Sequence, residues 1–474
     1  MPMSRIPSSQ DRPLSRPFDH LDRFGSQVAV LDEDGKMLTY EQLLMRADKI
    51  GAQLKGRCLV MIVCRNDPDC LAGYIGLSRA GAAIMLVHHS LPLEQRQSII
   101  DAFQPHLVYA QDDTSSEYAL TPTGHAADFP IHEDLCLLLT TSGSTGSRSF
   151  VRLSYDNVTS NALSIIDYLG ITSIDRAIMT MPMSYTYGLS IIHSHLLAGA
   201  SLITNEASLV SPVFWKALKE LEATSFGGVP FIYEILLKLR FGRMDLPHLK
   251  TLTQAGGKLS DDVARKMIDI CKDKGMRFVT MYGQTEATAR MSYLAWEKAE
   301  EKAGSIGTAI PGGNLWLADD QGHPVQAPEI PGELVYEGPN VSLGYAESWK
   351  DLSRGDDNQG QLFTGDIASR DVDGYFTIVG RKKRFLKIVG HRINLDETEQ
   401  ILKKAGHDCA CGGVDNMLSV FIPAGTDPAA VKSLLIEQIS LNPNSFRIVE
   451  IDQIPRLDSG KTDYQALQKL IADQ

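Results

Sequence analysis

The chain has 474 residues, of which 43% are hydrophobic and 22% charged, and its net charge is -12. This composition is typical of a globular protein with a large buried core, and the length predicts two to four domains. The acidic balance argues against general nucleic-acid binding, which needs a basic surface. No apolar run is long enough for a membrane span, and the N-terminus has no apolar signal core, so we predict a cytoplasmic protein.

The first 300 residues alternate between strand-like and helix-like segments. Residues 27–40 predict two short strands around an Asp-Gly turn, and an amphipathic helix follows with Thr39 as its N-cap. Residues 58–64, CLVMIVC, form a continuous apolar run of the kind found in buried parallel strands. Similar runs recur at 135–139 and beyond. The alternation predicts a layered α/β fold with parallel sheets.

The pattern changes near residue 305, where glycine and proline become frequent between short alternating strands. This change predicts a small β-rich subdomain at about 305–380. The stretch that follows contains the helix-like segments DETEQILKKAG and DPAAVKSLLIEQI and the strand-like MLSVFIPA. We therefore predict a large N-terminal α/β domain, residues 1–382, and a small mobile α+β C-terminal domain, residues 383–474.

Cysteines and histidines give no sign of a metal site. The seven cysteines lack paired spacing, which indicates reduced thiols rather than a disulfide framework. Cys409 and Cys411 have no partner pair of the kind that a zinc site requires. His193 and His195 are interpreted as packed or surface side chains.

The segment TTSGSTGSRSF, residues 140–150, follows the apolar run at 135–139. Serine and glycine clusters between apolar runs are usually surface turns, but backbone N–H groups and hydroxyls also surround phosphates. The spacing is not that of a Walker A loop, because Gly143 and Gly146 are too close and no lysine follows. From this segment alone, the sequence is compatible with both a surface turn and an anion-binding loop.

Four segments in this order and spacing resemble the adenylate-forming superfamily, which includes acyl-CoA synthetases, beetle luciferases and peptide-synthetase adenylation domains. They are TSGSTG (141–146), YGQTEAT (282–288), TGDIASRDVDGYFTIVGRKKRFLKIVGHRI (364–393) and PRLDSGKTD (455–463). The resemblance covers nearly the whole chain. It implies ATP-dependent activation of a carboxylic acid to acyl-AMP with release of pyrophosphate, followed by transfer of the acyl group to a thiol.

The resemblance also implies a nucleotide site, in which donors and cations align and neutralise the anionic reactants. Asp366 matches the acid that accepts the ribose hydroxyls. Glu286 and Thr141 match the ligands of Mg²⁺, with an ordinary helix-start acid as the alternative for Glu286. The matched nucleotide-binding residues are Thr141, Ser142, Gly143, Ser144, Thr145, Gly146, Gly256, Gly257, Tyr282, Gly283, Thr285, Asp366 and Arg381.

One departure from the family lies beside the phosphate loop. The family continues this loop with Pro-Lys-Gly, whereas Arg148, Ser149 and Phe150 stand here, so Ser149 replaces a lysine. Arg148 could compensate, although arginine and lysine are not interchangeable at phosphates. The departure motivates an alternative, a non-catalytic nucleotide-binding relative.

The segment MPMSYTYGLS, residues 181–190, matches the acid pocket of the family and contributes Tyr185, Tyr187 and Gly188. Tyr185 stands where amino-acid-activating members carry an aspartate for the α-amine. Since an unpaired buried ammonium is costly, the sequence favours an acyl or aryl acid over an α-amino acid. Core packing of the two tyrosines is the alternative.

The resemblance assigns the catalytic lysine to Lys461, whose ammonium would bridge the acid carboxylate and the α-phosphate. The basic run 381–387 matches the interdomain hinge, although such runs also occur as nucleic-acid patches. The residues matched to the hinge and the second step are Lys383 (hinge), Lys387 (catalysis), and Gly390 and Arg392 (thiol-channel loop).

The implied cofactors are ATP, Mg²⁺ and coenzyme A, with a small carboxylic acid as substrate. The phosphopantetheine arm of a separate acyl carrier protein is the alternative thiol, because the sequence does not separate the two acceptors.

Overall fold

The computed structural model describes residues 16–112, 117–125, 129–140, 149–382, 384–388, 391–439, 441–457 and 462–472, with backbone alone at 385, 387, 391, 392, 394 and 472. The strands are β1 Val28–Leu31, β2 Met37–Thr39, β3 Leu59–Cys64, β4 Ala83–His88, β5 Leu107–Gln111, β6 Tyr118–Pro122, β7 Leu135–Thr140, β8 Phe150–Ser154, β9 Arg176–Ile178, β10 Ser201–Ile203, β11 Ser225–Gly228, β12 Thr251–Gln254, β13 Arg277–Tyr282, β14 Ser292–Leu294, β15 Thr308–Ala309, β16 Asn314–Ala318, β17 Gly332–Glu337, β18 Gly344–Ala346, β19 Gln361–Arg370, β20 Phe376–Arg381, β21 Phe385–Ile388, β22 His391–Asn394, β23 Ala410–Val414, β24 Met417–Pro423 and β25 Phe446–Ile451. The helices are α1 Tyr40–Gly51, α2 Pro68–Arg79, α3 Leu93–Phe103, α4 Tyr155–Leu169, α5 Thr186–Leu197, α6 Pro212–Glu220, α7 Pro230–Lys238, α8 Asp261–Asp273, α9 Leu395–Lys404, α10 Pro428–Ile439 and α11 Tyr464–Ala472.

The first predicted elements are confirmed. β1 and β2 form an antiparallel hairpin, and α1 begins directly after Thr39. The hydroxyl of Thr39 accepts a hydrogen bond from the backbone N–H of Gln42, while the Gln42 side chain accepts one from the backbone N–H of Thr39. This capping box satisfies two backbone donors at the start of the helix.

Two large sheets contain most of the strands, and helices pack against them. One has the order β15-β14-β13-β12-β11-β9-β10-β1-β2, and the other has the order β18-β8-β7-β4-β3-β5-β6. Their centres are parallel: β9 to β13 in the first sheet, and β3, β4, β5 and β7 in the second. Every residue of β3 is buried, as expected for a strand covered on both faces. The predicted α/β fold is confirmed.

The strand β18 closes one edge of the second sheet by pairing with β8. Arg152 of β8 is fully buried there. Its guanidinium forms an ion pair with Asp357 at 2.6 Å and donates to the backbone carbonyls of residues 343, 345, 354 and 355. One charged side chain therefore fastens β18 and the turn after it to the sheet.

The β-rich segment and the C-terminal part form smaller sheets. A four-stranded sheet, β16-β17-β19-β20, lies within the segment predicted to be β-rich. Near the C-terminus the predicted helices appear as α9 and α10 and the predicted strand as β24, while β23, β25 and α11 were not predicted. The division of the chain into domains at residues 382 and 383 stays a prediction.

Two further expectations concern side chains and membrane spans. All seven cysteines are buried and free of disulfides, as predicted. His193 and His195 are buried in α5, which agrees with their interpretation as packed side chains. Across the described ranges, no helix combines the length and the apolar character needed to cross a bilayer.

Candidate nucleotide and acid site

The candidate site begins where the parallel strands β12 and β13 end at the same sheet edge. β12 ends at Gln254, and the predicted pair Gly256 and Gly257 follows it; β13 ends at Tyr282. Gly256 has φ +84°, a conformation that favours glycine. A Cβ on Gly257 would lie 3.2 Å from the ring of Pro230. The backbone therefore turns tightly at the edge where nucleotides bind in open α/β sheets.

Asp366 lies at the centre of this site and is only 4% exposed. Its Oδ2 accepts hydrogen bonds from the Tyr282 hydroxyl at 2.5 Å and from Gln284 Nε2 at 2.9 Å. Its Oδ1 accepts from Arg381 Nε at 3.0 Å, because Asp366 and Arg381 are directly opposite each other in β19 and β20. The structure thus brings together three residues that the resemblance assigned to nucleotide binding.

The electrostatics of this cluster keep Tyr282 protonated. Burial, and then the charge of Asp366, raise the pKa of the Tyr282 phenol well above its usual value. The phenol therefore stays a hydrogen-bond donor to the carboxylate. A carboxylate offers about four acceptor positions, and protein donors fill three of them here. Ribose hydroxyls fit this carboxylate, since they could take the remaining position or displace a neutral donor.

The turn after Tyr282 requires glycine at position 283. A Cβ there would lie 1.6 Å from the carbonyl oxygen of Ala289, which no side chain can tolerate. The next residues form a single 3-10 turn, Thr285–Ala287, in which Thr285 is buried and Glu286 is half-buried. This close approach of two backbone segments positions Glu286.

Glu286 faces the second sheet. Its Oε1 accepts a hydrogen bond of 2.6 Å from the hydroxyl of Tyr345, which lies in β18 opposite Val151 of β8. Burial and the charge of Glu286 raise the pKa of Tyr345. The predicted Mg²⁺ ligand therefore lies near the strand that leads out of the serine- and threonine-rich segment.

Several predicted residues lie outside the described part of the chain. They are Thr141, Ser142, Gly143, Ser144, Thr145, Gly146, Arg148, Lys383, Gly390 and Lys461. The strands on either side of the first group are described: β7 ends at Thr140, and its antiparallel neighbour β8 begins at Phe150. Ser149, which replaces the family lysine, is partly exposed at the start of β8.

The predicted acid-pocket residues lie at the start of α5. Tyr185 is the N-cap residue of this helix, and its ring centre is 6.3 Å from that of Tyr187. Tyr187 is 3% exposed, and its hydroxyl donates to the carbonyl oxygen of Thr253 at 2.7 Å. A Cβ on Gly188 would lie 2.4 Å from the carbonyl oxygen of Pro182, so glycine is required for packing. Tyr187 thus packs firmly between helix and sheet.

The predicted second-step residues lie on a short hairpin, and the chain on both sides of Lys461 is described. Lys387 in β21 pairs with Arg392 in β22. Arg456 and Thr462 form an isolated antiparallel bridge, and the Arg456 guanidinium lies 5.4 Å from the ring centre of Phe231. Phe231 is the residue after Pro230, the neighbour of the predicted adenine wall.

Three residues of the site were not predicted. Gln284 lies inside the YGQTEAT segment, so its polar side chain between two matched residues was an available signal. Tyr345 is 59 residues from its partner Glu286, and no local pattern connects the two. Arg290 follows the same segment, yet the arginine is fully buried beneath the ring of Tyr187.

The cluster of Asp366 and Tyr282 lies beside the carboxyl ends of parallel strands, where open α/β folds bind their ligands. The chain belongs to the AMP-binding enzyme family, whose model matches residues 18–346. This membership confirms the recognised superfamily and the predicted enzyme class: an AMP-forming acid–thiol ligase, which makes acyl-AMP and passes the acyl group to a thiol.

Individual relatives agree with the family assignment. The chain is 28% identical over 406 residues to a feruloyl-CoA synthase of Amycolatopsis sp, covering 80% of this chain and 81% of that protein. It is 26% identical to an indoleacetate–CoA ligase of Aromatoleum aromaticum, over 92% and 93% of the two chains. The crystal structure of ATP-bound MatB from Rhodopseudomonas palustris has the same fold, with a TM-score of 0.79, 21% identity and coverage of 97% and 99%.

Proposed function

We propose that this ligase uses ATP and Mg²⁺ to adenylate a carboxylic acid that lacks an α-ammonium group, and then transfers the acyl group to coenzyme A. The observation that carries the nucleotide assignment is the Asp366 cluster. It joins Tyr282 and Gln284 of one segment with Arg381 of another around one buried carboxylate. In this proposal Asp366 accepts hydrogen bonds from the ribose.

The proposed Mg²⁺ ligands are the Glu286 carboxylate and the Thr141 hydroxyl. Oxygen ligands suit this cation, which commonly bridges protein carboxylates and substrate phosphates. Glu286 is partly accessible and accepts one recorded hydrogen bond, from Tyr345, so its carboxylate keeps capacity for a metal ion. When bound, the ion would neutralise charge on the phosphates.

The proposed acid class follows from Tyr185 at the start of α5. The side chain offers a phenol rather than a carboxylate, and burial raises the pKa of this phenol, so it stays neutral at pH 7. A neutral phenol cannot compensate an α-ammonium group, whereas an acid without an amine needs no such partner. The acceptor is proposed to be coenzyme A because both similar curated ligases are named for it.

The proposal includes two arrangements of the chain. Residues 383–474 would act as a mobile domain that presents Lys461 for adenylation and then turns about Lys383 for the thiol step. The contact of Arg456 with Phe231 supports the first arrangement, because it brings the segment that contains Lys461 towards the nucleotide wall. Burial of all seven free cysteines suits a reducing, cytoplasmic setting.

The test is pyrophosphate release from ATP by the full chain, measured over a panel of acids with Mg²⁺ or with excess EDTA. We expect release that depends on both the acid and Mg²⁺, and acyl-CoA formation when coenzyme A is added. Product with a phosphopantetheinylated carrier protein but none with coenzyme A would reassign the acceptor. Absence of release with every acid would contradict the proposal.

A matched pair of variants tests the metal assignment. Glu286→Gln should raise the Mg²⁺ concentration needed for half-maximal adenylation by at least about tenfold, the scale of a disturbed metal shell. Tyr345→Phe removes the hydrogen bond to Glu286 and leaves the carboxylate in place, so its Mg²⁺ requirement should change far less. Equal increases of the Mg²⁺ requirement in the two variants would contradict the metal assignment. They would indicate that Glu286 contributes its hydrogen bond with Tyr345 instead.

A further inference from the structure

Three side chains connect the predicted hinge with the segment that contains Lys461. They are Arg384, which directly follows Lys383, Glu399 of α9, and Tyr464, the first residue of α11. The Arg384 Nη2 donates to Glu399 Oε1 at 2.8 Å, and the Tyr464 hydroxyl donates to Glu399 Oε2 at 2.9 Å. The guanidinium carbon of Arg384 lies 3.7 Å from the centre of the Tyr464 ring. Each member of this Arg384–Glu399–Tyr464 cluster therefore contacts the other two.

The Glu399 carboxylate lies at the centre of the cluster, and its side chain is only 6% exposed. Its Oε1 also accepts a hydrogen bond of 2.8 Å from the backbone N–H of Cys411, and its Oε2 lies 3.6 Å from Lys403 Nζ. The roughly four acceptor positions of a carboxylate are thus all used. Burial, and then the charge of Glu399, raise the pKa of Tyr464, so the phenol stays a donor. Hydrogen bonds to a charged group hold this geometry firmly.

The chain is fixed on both sides of the predicted hinge residue. After the hinge, Arg384 also forms an ion pair with Asp396 and donates to the carbonyl oxygen of Cys411 at 2.9 Å. Before the hinge, Lys382 Nζ donates to Glu333 Oε2 of β17 at 2.6 Å. Fixed contacts therefore end one residue before the predicted hinge and resume one residue after it, on different sheets and helices.

The segment around the predicted catalytic lysine forms a loop that is closed at its base. Arg456 and Thr462 form a bridge, and the backbone N–H of Asp463 donates to the carbonyl oxygen of Pro455 at 2.8 Å. Tyr464 directly follows Asp463. The contacts of the Tyr464 side chain therefore fix the base of this lysine loop, residues 455–463.

We infer that the Arg384–Glu399–Tyr464 cluster positions Lys461 for adenylation, because it fixes the lysine loop relative to the hinge. The inference rests on the proposed function, in which Lys461 bridges the acid carboxylate and the α-phosphate. Such a contact tolerates little error, since a displacement of about 1 Å caused far from the reacting atoms can cost about 10²-fold in rate. With the cluster intact, a turn at the hinge carries the lysine loop as one body. Tyr464 is thus a positioning residue, which acts on the reaction through Lys461.

The first test compares the two half-reactions in Tyr464→Leu, which removes both the ring over Arg384 and the hydroxyl that binds Glu399. We expect kcat for acyl-AMP formation to fall by about 10²-fold. KM for ATP should change little, because the Asp366 cluster is untouched. Thiol transfer from presynthesised acyl-AMP should be spared, because the proposed mechanism does not use Lys461 in that step. Equal losses in both half-reactions, or full adenylation activity, would overturn the inference.

The second test repeats the substitution in the Lys461→Ala background. A residue that acts through Lys461 should have no further effect on adenylation once the lysine is gone, so the two losses should not add. A merely structural role would give the same factor of loss in both backgrounds, and that result would overturn the inference while leaving the proposed function intact. Unchanged adenylation in Lys461→Ala alone would instead remove Lys461 from the proposed function, and the inference with it.

Two further variants separate positioning from stability. Tyr464→Phe keeps the ring and removes the hydrogen bond with Glu399, so adenylation should fall by only about tenfold, the lower end for a hydrogen bond to a charged group. This variant carries both tests if Tyr464→Leu does not fold, and its full adenylation activity would then overturn the inference. Val431→Ala is the matched control, because it truncates a fully buried side chain of α10 in the same C-terminal core. It should lower Tm and leave adenylation by the folded protein unchanged. A loss of adenylation in Val431→Ala equal to that in Tyr464→Phe would identify stability as the cause and overturn the inference.

Discussion

At the scale of single residues, the site depends on one carboxylate that several segments share. Asp366 is held between the Tyr282 phenol and the Arg381 guanidinium, so its orientation is fixed before a nucleotide arrives. Preorganised acceptors of this kind lose little freedom on binding. The hydroxyl of Tyr282 and the amide of Gln284 are neutral donors that ribose hydroxyls can replace without breaking the ion pair.

Asp366→Ala should therefore weaken ATP binding strongly. Loss of a charged acceptor for a hydroxyl costs about 1.5–3 kcal/mol, which corresponds to roughly a 10- to 150-fold rise in Kd. Isothermal titration calorimetry measures the effect, with circular dichroism as the check of folding. The control is Asp371→Ala on the same strand pair, where the carboxylate contacts Lys302 at the surface. Unchanged ATP affinity in Asp366→Ala would remove Asp366 from the nucleotide site.

Ser149→Lys restores the family cation beside the phosphate loop. Ser149 is partly exposed at the start of β8, so a lysine fits there without burial. We expect adenylation to be retained or to rise by up to about fivefold, since a solvated charge near a phosphate contributes about 1 kcal/mol. The gain should shrink as salt is added, and Ser149→Met should give none. A marked loss of adenylation activity in the folded Ser149→Lys variant would indicate that Arg148 has taken over the role of the family lysine.

At the scale of elements, α5 carries the predicted acid-pocket residues at its start and packs into the core along its length. His193 accepts or donates a 2.8 Å hydrogen bond with the Tyr74 hydroxyl, and His195 bonds the carbonyl of Ile191 at 2.9 Å. Burial lowers the pKa of His193 to about 3 and that of His195 to about 4. Both therefore stay neutral in the folded helix at pH 7.

These two histidines predict a loss of stability in mild acid. The folded pKa values lie below the unfolded value of about 6.5, so the unfolded chain binds more protons and stability falls as pH drops from 6.5 towards 4. Each histidine contributes a slope of about 1.4 kcal/mol per pH unit. Urea unfolding across this window should give a shallower pH dependence for a His193→Gln, His195→Gln double variant than for the parent. Identical slopes in parent and double variant would contradict the prediction.

The sequence predicted those elements whose signals are local. The Asp-Gly hairpin, the Thr39 cap and the apolar strand at 58–64 each combine propensity and pattern within a few residues, and all three are confirmed. β18 is three residues long, too short to show a period, and pairs with a strand almost 200 residues earlier; its position follows from tertiary packing alone. Arg290 lies in a polar stretch typical of a surface, yet tertiary structure buries it. Charged residues used inside a protein break the pattern on which such predictions rest.

At the scale of the whole molecule, the proposed function assigns adenylation and thiol transfer to two different arrangements of the chain. On either side of Lys461, Arg456 and Thr462 form a bridge with each other. Arg456 also contacts Phe231, which lies beside the predicted adenine wall. In the proposed function, the large N-terminal part supplies the nucleotide contacts at Asp366 and Tyr282, and the C-terminal part supplies Lys461. Under this proposal, nucleotide binding and catalysis are divided between distant parts of the sequence.

Lys461→Ala should separate the two half-reactions. Formation of acyl-AMP should fall by roughly 10²- to 10³-fold, the scale of losing one preorganised transition-state contact. ATP affinity should fall much less, and thiol transfer from presynthesised acyl-AMP should be largely spared. Lys469→Ala in α11 is the matched control and should leave both steps intact. Equal losses in both half-reactions of a folded Lys461→Ala variant would contradict the two-arrangement mechanism.

The buried Arg152 has a consequence for folding of the protein during its synthesis on the ribosome. Its carboxylate partner Asp357 is 205 residues downstream, and the carbonyls that it binds follow residue 342. Synthesis proceeds at about 5–20 residues per second, so Asp357 is made roughly 10–40 s after Arg152. During this interval β8 has no neighbour on its outer edge, and the Arg152 guanidinium has no carboxylate partner. If the N-terminal part folds during this interval, the edge of its second sheet stays exposed, so we expect the yield of folded protein to depend on translation speed. Synonymous codon changes between positions 152 and 357 would thus alter the yield of folded enzyme without altering one amino acid.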